Sequence, residues 1–141
     1  MLGKMLAVMA VAWGLAGGAW AKTVIVSPPD AAWQVRLAAK EVARYVYLRT
    51  GELPAMVASA PAGEAAIALA VDPSLGPETH ALKTEGLLTR ITGGDPLGVL
   101  YGAYRYAELL GVRFYLHGDV VPDDERAHLF PNRPGIPRQG H

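Results

Sequence analysis

Two segments with a helical repeat of apolar residues, separated by short strand-like runs, constrain the fold of this chain most strongly. The first segment, AAWQVRLAAKEVARYVYLRTG, is followed by Gly51 where a left-handed C-cap is expected. Asp30, after Pro28 and Pro29, is the expected N-cap. Its apolar residues fall on one face at the 3.6-residue spacing, at Val35, Ala38, Ala39, Val42, Tyr45 and Val46. This pattern predicts a long amphipathic helix.

The second helical segment, PLGVLYGAYRYAELL, follows the turn GGD and predicts a helix from about Pro96 to Leu110. Asp95 is the expected N-cap, and Pro96 takes the first helical position, where its missing N–H costs nothing. Arg105 and Glu108 have the spacing of an ion pair. The broad apolar face is predicted to comprise Val99, Leu100, Ala103, Tyr104, Ala107 and Leu110. Tyr101, Arg105 and Glu108 are expected on a narrow polar face. The tyrosine stripe is expected in the core, not on a sugar-binding platform.

Gly98 and Gly102 lie one turn apart in this second helix. Glycine inside a helix costs up to about 1 kcal/mol relative to alanine, so another element is expected to approach closely. We predict that this neighbour is the backbone of the first helix. A phosphate cradle in GGDPLG is excluded because the P-loop pattern needs Lys and Ser or Thr where this chain has Val99 and Leu100.

The strand-like runs lie before, between and after the two helical segments. They are TVIV from Thr23 to Val26, AAIALAV at 65–71, LLTRIT at 87–92 and VRFYL at 112–116. The continuous apolar run at 65–71 predicts a strand covered on both faces. LPAMVAS is a candidate edge strand, and DPSLGPETHALKTEG is predicted to be a loop. The expected fold is α/β, a two-layer α+β sandwich of order β-α-β-β-α-β, with a mixed sheet of about four strands and both helices on one face.

The first 21 residues have the pattern of a signal peptide. A lone cation, Lys4, precedes an apolar segment from Met5 to about Ala16, and Ala19-Trp20-Ala21 has the small-x-small cleavage pattern. The apolar segment is shorter than the roughly 18 to 20 residues that span a bilayer. Cleavage near Ala21 and export to the periplasm or the extracellular space are expected, with an uncut membrane anchor as the alternative. The expected domains are residues 1–21, 22–124 and a flexible tail at 125–141.

Charge and cysteine content exclude several classes of function. Removing residues 1–21 takes away one lysine and no acid, which leaves a net charge of about −1. This balance gives no electrostatic footprint for nucleic acid or an anionic membrane. The chain has no cysteine, so a disulfide scaffold and a thiolate metal site are both excluded. The cations Arg36, Lys40 and Arg44 are expected on a solvated helix face, with Glu41 as the partner of Arg44.

No catalytic, cofactor-binding or metal-binding residue is predicted, and the substrate-binding residues stay unknown. His80 stands alone in its predicted loop, without a second ligand at suitable spacing. Acids and histidines are concentrated near the C-terminal end, at His117, Asp119, Asp123, Asp124, Glu125 and His128. Glycosidases hold two carboxyls rigidly across the scissile bond. Because the chain after Pro122 is rich in proline and poor in apolar residues, a mobile tail is expected there instead.

The chain resembles a known accessory domain over about Thr23 to Asp124. The segments that carry the resemblance are AAKEVARYVYLRTGELP, IALAV, EGLLTRITGGDPLGVLYGAYRYAELLGVRFY and HGDVVPDD. They look like the small N-terminal α/β domain that precedes the catalytic barrel in bacterial β-N-acetylhexosaminidases and α-glucuronidase-like glycoside hydrolases. The resemblance implies a domain without catalytic residues. It also implies a two-stranded hairpin between Glu85 and Gly98, which here is expected to be shortened to one strand.

The expected function is therefore that of a non-catalytic N-terminal domain of an exported glycoside hydrolase, truncated before its (β/α)₈ barrel. The expected partner is that barrel, normally in the same chain, with a glycan as a second candidate. No cofactor, nucleic-acid partner or membrane insertion after cleavage is expected. Three alternatives stay open. The chain could be a stand-alone glycan-binding or adaptor module with Trp33 and Tyr47 as its aromatic platform, a small enzyme that uses the acidic tail, or a plain structural domain.

Overall fold

The computed structural model describes residues 22–122. The predictions for the signal peptide and the tail therefore lie outside the described residues. Within 22–122 no helix is long and apolar enough to cross a bilayer. The elements, in chain order, are β1 (Thr23–Val26), α1 (Trp33–Thr50), β2 (Ala55–Val57), β3 (Ala65–Val71), a 3₁₀ turn (Pro73–Leu75), β4 (His80–Glu85), β5 (Leu88–Gly93), α2 (Pro96–Leu109), β6 (Arg113–Tyr115) and β7 (Gly118–Val120).

The main sheet has five strands in the order β2-β1-β3-β5-β4. The first four are mutually parallel, and β4 runs antiparallel to β5. The register aligns Ile25 with Ile67 and Leu69 with Ile91, and both helices pack against the face that carries these side chains. The predicted α/β architecture, a mixed sheet with two helices on one face, is confirmed.

The predicted count of four strands is too low. The segment assigned to a loop contains β4, which forms a hairpin with β5. The single strand expected between Glu85 and Gly98 is β5, and the loop assignment is wrong because the other strand of the hairpin ends at Glu85. β4 is an edge strand with the polar sequence HALKTE, and such a strand has no apolar run to reveal it. The last predicted strand is also misplaced, because β6 pairs only with β7 in a separate two-stranded sheet.

The α1 helix follows the predicted pattern on its buried face but not at its first turn. All six predicted core residues are buried, and Gly51 ends the helix with φ of 76°. The N-cap, however, is Ala32, which provides no side-chain hydrogen bond. Asp30 lies in the preceding turn, where the Ala31 N–H donates to the Pro28 carbonyl over 3.2 Å. The turn that contains the two prolines therefore includes Asp30, and α1 begins three residues after it, at Trp33.

The α2 helix begins as predicted. The Gly98 N–H donates to Asp95 Oδ1 over 2.7 Å, and Pro96 occupies the first turn. Five of the six residues on the predicted apolar face are buried, whereas Tyr104 is only partly buried. Tyr106, which lies off that face, is fully buried in the core. The buried surface of α2 is broader than one stripe because the helix packs on both the sheet and α1.

The glycine strip of α2 faces a different neighbour from the one expected. A Cβ placed on Gly98 would lie 2.2 Å from the carbonyl oxygen of Thr79. A Cβ on Gly102 would lie 2.7 Å from Cγ2 of Ile91 and 3.3 Å from Cβ of His80. The close approach is therefore to the start of β4 and to β5. The prediction that α1 supplies the contact is wrong, because β4 was not predicted.

The second face of the sheet carries alternate residues of each strand. Ala66 is buried there, whereas Ala68 is half-buried and Ala70 is exposed. No helix among the described elements covers this face, so the expected cover on both faces of β3 is not found in residues 22–122. At the β4–β5 side, Glu85 pairs with Lys83 over 2.8 Å and with Arg90 over 3.1 Å. This half of the face is therefore an exposed ion network.

Candidate functional site

The concave feature that combines aromatic and charged side chains lies where α1 and α2 meet the β6–β7 hairpin. We call it the hairpin cleft. It is a shallow depression, wide open to solvent, with a volume of about 470 Å³. It is lined by Glu41, Arg44, Tyr45, Tyr104, Phe114, Tyr115, Gly118 and Asp119. These residues come from four elements, α1, α2, β6 and β7, and only tertiary packing brings them together.

The aromatic wall of the hairpin cleft is built from edge-to-face contacts. The ring of Phe114 lies 5.8 Å from the ring of Tyr45 and 5.4 Å from the ring of Tyr104, both nearly perpendicular. Such contacts are a preferred arrangement for aromatic pairs. Tyr45 is buried beneath them, whereas Phe114 is 40% and Tyr115 is 63% exposed. The cleft therefore has a fixed aromatic floor and a solvent-facing aromatic rim.

A charged network fixes the hairpin to α1. The Tyr45 hydroxyl donates to Asp119 Oδ2 over 2.8 Å, and Arg44 donates to the same oxygen over 3.1 Å. The guanidinium of Arg44 also lies 4.9 Å from the centre of the Tyr45 ring, a cation–π distance. Glu41 lies 3.7 Å from Arg44, which is an ion pair but longer than a hydrogen bond. Two carboxylates thus share one guanidinium, and the cleft has a net charge of −1.

These contacts shift the proton equilibria of the cleft in consistent directions. The hydrogen bond from Tyr45 lowers the pKa of Asp119 below its usual value, with the charge of Arg44 acting in the same direction. Burial, together with the hydrogen bond to Asp119, raises the pKa of Tyr45 to about 12. Burial and the nearby Glu41 carboxylate also raise the pKa of Tyr104. At neutral pH, Asp119 is therefore an anion and both tyrosines are neutral hydroxyl groups.

The predicted aromatic platform is not a single surface. Trp33 is 61% and Tyr47 is 49% exposed, as a platform requires. Both lie on α1, but their separation of 14 positions corresponds to about 21 Å along the helix axis. The two rings therefore cannot stack on one sugar ring, and the aromatic cluster of the molecule lies in the hairpin cleft instead. Placing the tyrosines of α2 wholly in the core is wrong for Tyr104, which lines that cleft.

Three of the predicted acid and histidine candidates, His80, His117 and Asp119, lie in the described part of the chain. His80 is exposed, as expected, but it begins β4 instead of lying in a loop. Asp119 is in β7 and His117 is in the hairpin turn, whereas Asp123, Asp124, Glu125 and His128 lie outside the described residues. Within residues 22–122 no three His, Cys, Asp or Glu side chains are grouped closely enough to hold a metal ion.

Sequence reasoning missed the hairpin cleft because its members are far apart in the chain. Arg44 and Asp119, for example, are separated by 75 positions. One local signal was present: Phe114 and Tyr115 precede a turn and a short polar run, as in a hairpin that exposes aromatic side chains. That pattern alone does not say which helix the hairpin contacts.

Comparisons with known proteins agree with the fold. No family model and no curated protein matches the sequence. Among solved structures, the chain is similar to one described as a GH138 enzyme targeting pectin rhamnogalacturonan II, with a TM-score of 0.52 and 18% sequence identity. The similarity covers 63% of this chain and 13% of that enzyme. At this identity the likeness concerns the fold alone: the α/β fold of this chain also occurs as one small part of a glycoside hydrolase.

Proposed function

We propose that this chain is a non-catalytic α/β domain of an exported glycoside hydrolase that degrades polysaccharides, and that its partner is a (β/α)₈ catalytic barrel. The observation that carries the proposal is that most of the chain matches only 13% of a much larger carbohydrate-active enzyme. The resemblance to the N-terminal domains of β-N-acetylhexosaminidases and α-glucuronidase-like enzymes supports the same role. A barrel takes about 250 residues, which is more than these 141.

The charge state of the hairpin cleft supports a non-catalytic role. A glycosidase needs one carboxyl with a raised pKa to act as a general acid and a second to act as nucleophile or base. Asp119 has a lowered pKa, and both Asp119 and Glu41 are paired with Arg44. Asp119 therefore does not have the raised pKa of a general acid, and the Glu41 carboxylate faces the Arg44 guanidinium instead of a second carboxyl.

The reading frame immediately downstream of this chain provides the test. We expect it to encode a (β/α)₈ barrel, and a protein that joins the two to hydrolyse glycosides. That hydrolysis should be lost when the carboxylates of the barrel are replaced and retained in the Glu41→Gln and Asp119→Asn variants. A downstream region without a barrel would contradict the proposal and favour the stand-alone glycan-binding module.

Export is part of the same proposal. Cleavage after Ala21 would leave a mature protein that begins at Lys22, one residue before β1. The intact mass of the protein recovered from the periplasm or the medium tests this directly. A recovered protein that still carries residues 1–21 would contradict cleavage and favour the uncut anchor.

A further inference from the structure

We propose that the hairpin cleft is a binding site for a neutral pyranose unit of a glycan. The inference rests on the proposed function for its carbohydrate context. It goes beyond that function by naming the class of ligand and the residues that would bind it. The cleft joins aromatic faces to hydrogen-bonding groups, as recognition of a sugar ring requires. One side of a pyranose presents C–H groups that pack on an aromatic ring, whereas its hydroxyls need polar partners.

The aromatic part of the argument rests on the exposed rings. Phe114 and Tyr115 leave 40% and 63% of their surface to solvent, next to the partly buried Tyr104. Exposed apolar side chains that are grouped and bordered by polar ones are typical of interaction sites. Phe114 is also fixed by ring contacts to Tyr45 and Tyr104, so binding would not need to order it. A preformed surface of this kind binds with a smaller entropy loss.

The polar part of the argument rests on unused hydrogen-bonding capacity. Glu41 is beyond hydrogen-bond distance of Arg44, so its oxygens are able to accept from ligand hydroxyls. Arg44 donates one hydrogen bond, to Asp119, while a guanidinium has five donor hydrogens and this side chain is about half exposed. An acceptor and a donor one turn apart on α1 match two adjacent hydroxyls on a sugar ring.

The charge of the cleft selects between classes of sugar. Glu41 and Asp119 carry two negative charges against the single positive charge of Arg44. A uronate would bring a third carboxylate into this space and would be repelled. A neutral pyranose meets no such penalty. The site is therefore expected to prefer neutral sugars even where the surrounding polymer is acidic.

The test compares two ligands that differ only at C6. The full chain, labelled with ¹⁵N, is titrated with methyl α-galactopyranoside and with its uronate form, and amide chemical shifts are followed. Methyl glycosides of glucose, rhamnose and N-acetylglucosamine extend the neutral set. Titration runs to about 50 mM, since a ligand of this size is expected to bind with a Kd in the millimolar range. We expect saturable shifts at Phe114, Tyr115 and Asp119, and at least about ten-fold weaker binding of the uronate.

Three variants connect the binding to the cleft. Tyr115→Ala, at an exposed ring, should weaken binding of the neutral sugar at least about ten-fold while the spectrum stays that of a folded protein. Glu41→Gln should reduce the discrimination against the uronate. Tyr101→Ala is the matched control, because Tyr101 is an exposed tyrosine of α2 outside the cleft.

Several outcomes would overturn the inference. They are no saturable shift with any of the four neutral glycosides, unchanged binding in Tyr115→Ala, and equal or tighter binding of the uronate. A downstream barrel together with no sugar binding would reject this inference and leave the proposed function in place. Sugar binding without any downstream barrel would reject the proposed function and leave the site in place.

Discussion

Gly98 and Gly102 are the residues at which the lack of a side chain affects packing most directly. Neither has positive φ, so neither is required by backbone conformation. A Cβ on Gly98 would overlap the Thr79 carbonyl oxygen, and one on Gly102 would lie 2.7 Å from Ile91. The propensity cost of glycine in a helix, up to about 1 kcal/mol, is therefore offset by the close approach of β4 and β5.

Replacing Gly102 tests this packing. Gly102→Ala should lower the free energy of unfolding, because the contact with Ile91 outweighs the gain in helix propensity. Gly102→Leu should cost more, typically about 1 to 3 kcal/mol from overpacking. Denaturant unfolding measures both changes. Tyr101→Ala, at an exposed site, should cost less than Tyr104→Ala at a partly buried one. A rise in melting midpoint for Gly102→Ala would contradict the close contact.

The hydroxyl of Tyr45 should lose its proton at a higher pH than an ordinary tyrosine. Its folded pKa is about 12, against about 10 for an unperturbed tyrosine. Because the folded value is the higher one, its contribution to stability is complete below pH 10 and is lost as the pH rises through about 12. The tyrosinate absorbance that disappears in Tyr45→Phe should therefore belong to a transition near pH 12. If Tyr45→Phe instead loses absorbance from a transition near pH 10, the burial of this hydroxyl beside Asp119 is contradicted.

At the scale of elements, the β6–β7 hairpin depends on α1. Two strands of three residues are too short to be stable alone, so contacts outside the hairpin must hold it. Those contacts are the ring of Phe114 between Tyr45 and Tyr104 and the carboxylate of Asp119 against Arg44 and Tyr45. The hairpin cleft exists only while this attachment holds.

Removing the Asp119 carboxylate should loosen the hairpin. Asp119→Ala is expected to speed amide hydrogen exchange in β6 and β7, with little change in β3. The lowered pKa of Asp119 adds a pH dependence: the attachment is intact above about pH 4 and is lost as the pH falls through the lowered value. Lys83→Ala, at an exposed ion pair on β4, is the control and should leave β6 and β7 unchanged. Unaltered exchange in Asp119→Ala would show that the aromatic contacts alone suffice.

At the scale of the whole molecule, Arg49 ties the end of the domain to its core. This buried arginine near the end of α1 donates to the Leu110 carbonyl over 2.9 Å and to the Pro122 carbonyl. The hydrogen bonds link α1, the end of α2 and the last described residue. Arg49 therefore holds the chain at Pro122 against α1 and the end of α2.

Arg49→Met should destabilise the molecule strongly. The substitution keeps an apolar stem but leaves both carbonyls without their charged donor, and a hydrogen bond to a charged group contributes about 1.5 to 3 kcal/mol. We expect a loss of about 2 kcal/mol or more in denaturant unfolding. Arg36→Met, which removes one exposed hydrogen bond to Ala31, should change stability by no more than about 0.5 kcal/mol. Similar costs for the two variants would contradict a special role for Arg49.

The isolated chain should not hydrolyse glycosides. We expect no release of chromophore from aryl N-acetylglucosaminides or glucuronides, since both acids of the cleft are paired with Arg44 and the pKa of Asp119 is lowered, whereas a general acid needs a raised one. Asp123→Asn and Glu125→Gln address the remaining acids near the C-terminal end. Turnover by the purified protein that either variant abolishes would contradict a non-catalytic domain and favour the small enzyme.

The features that depend on local chemistry follow from the sequence. The period of apolar residues predicts both helices and most of their buried positions, because a helix places residues three and four apart on one face. Gly51 and the Asp95-Pro96 pair mark helix ends through their own backbone preferences. The parallel strands β1 and β3 are apolar runs because their central residues are buried. The N-cap preference for acidic residues gave a wrong prediction at Asp30, because this residue belongs to the turn that follows the two prolines and the N-cap is Ala32.

The features that depend on contacts between distant residues were decided only by the tertiary structure. β4 is polar and exposed, so it becomes a strand through pairing with β5 and not through its own pattern. The neighbour of Gly102 could not be predicted without β4. In the hairpin cleft, Arg44 of α1 contacts Asp119 of β7, which lies 75 positions further along the chain. The local repeat of apolar residues gives no information about a contact between such distant positions. The sequence alone determined which segments are helical and most of the residues that the helices bury, because those depend on neighbours along the chain. The site depends on neighbours in space.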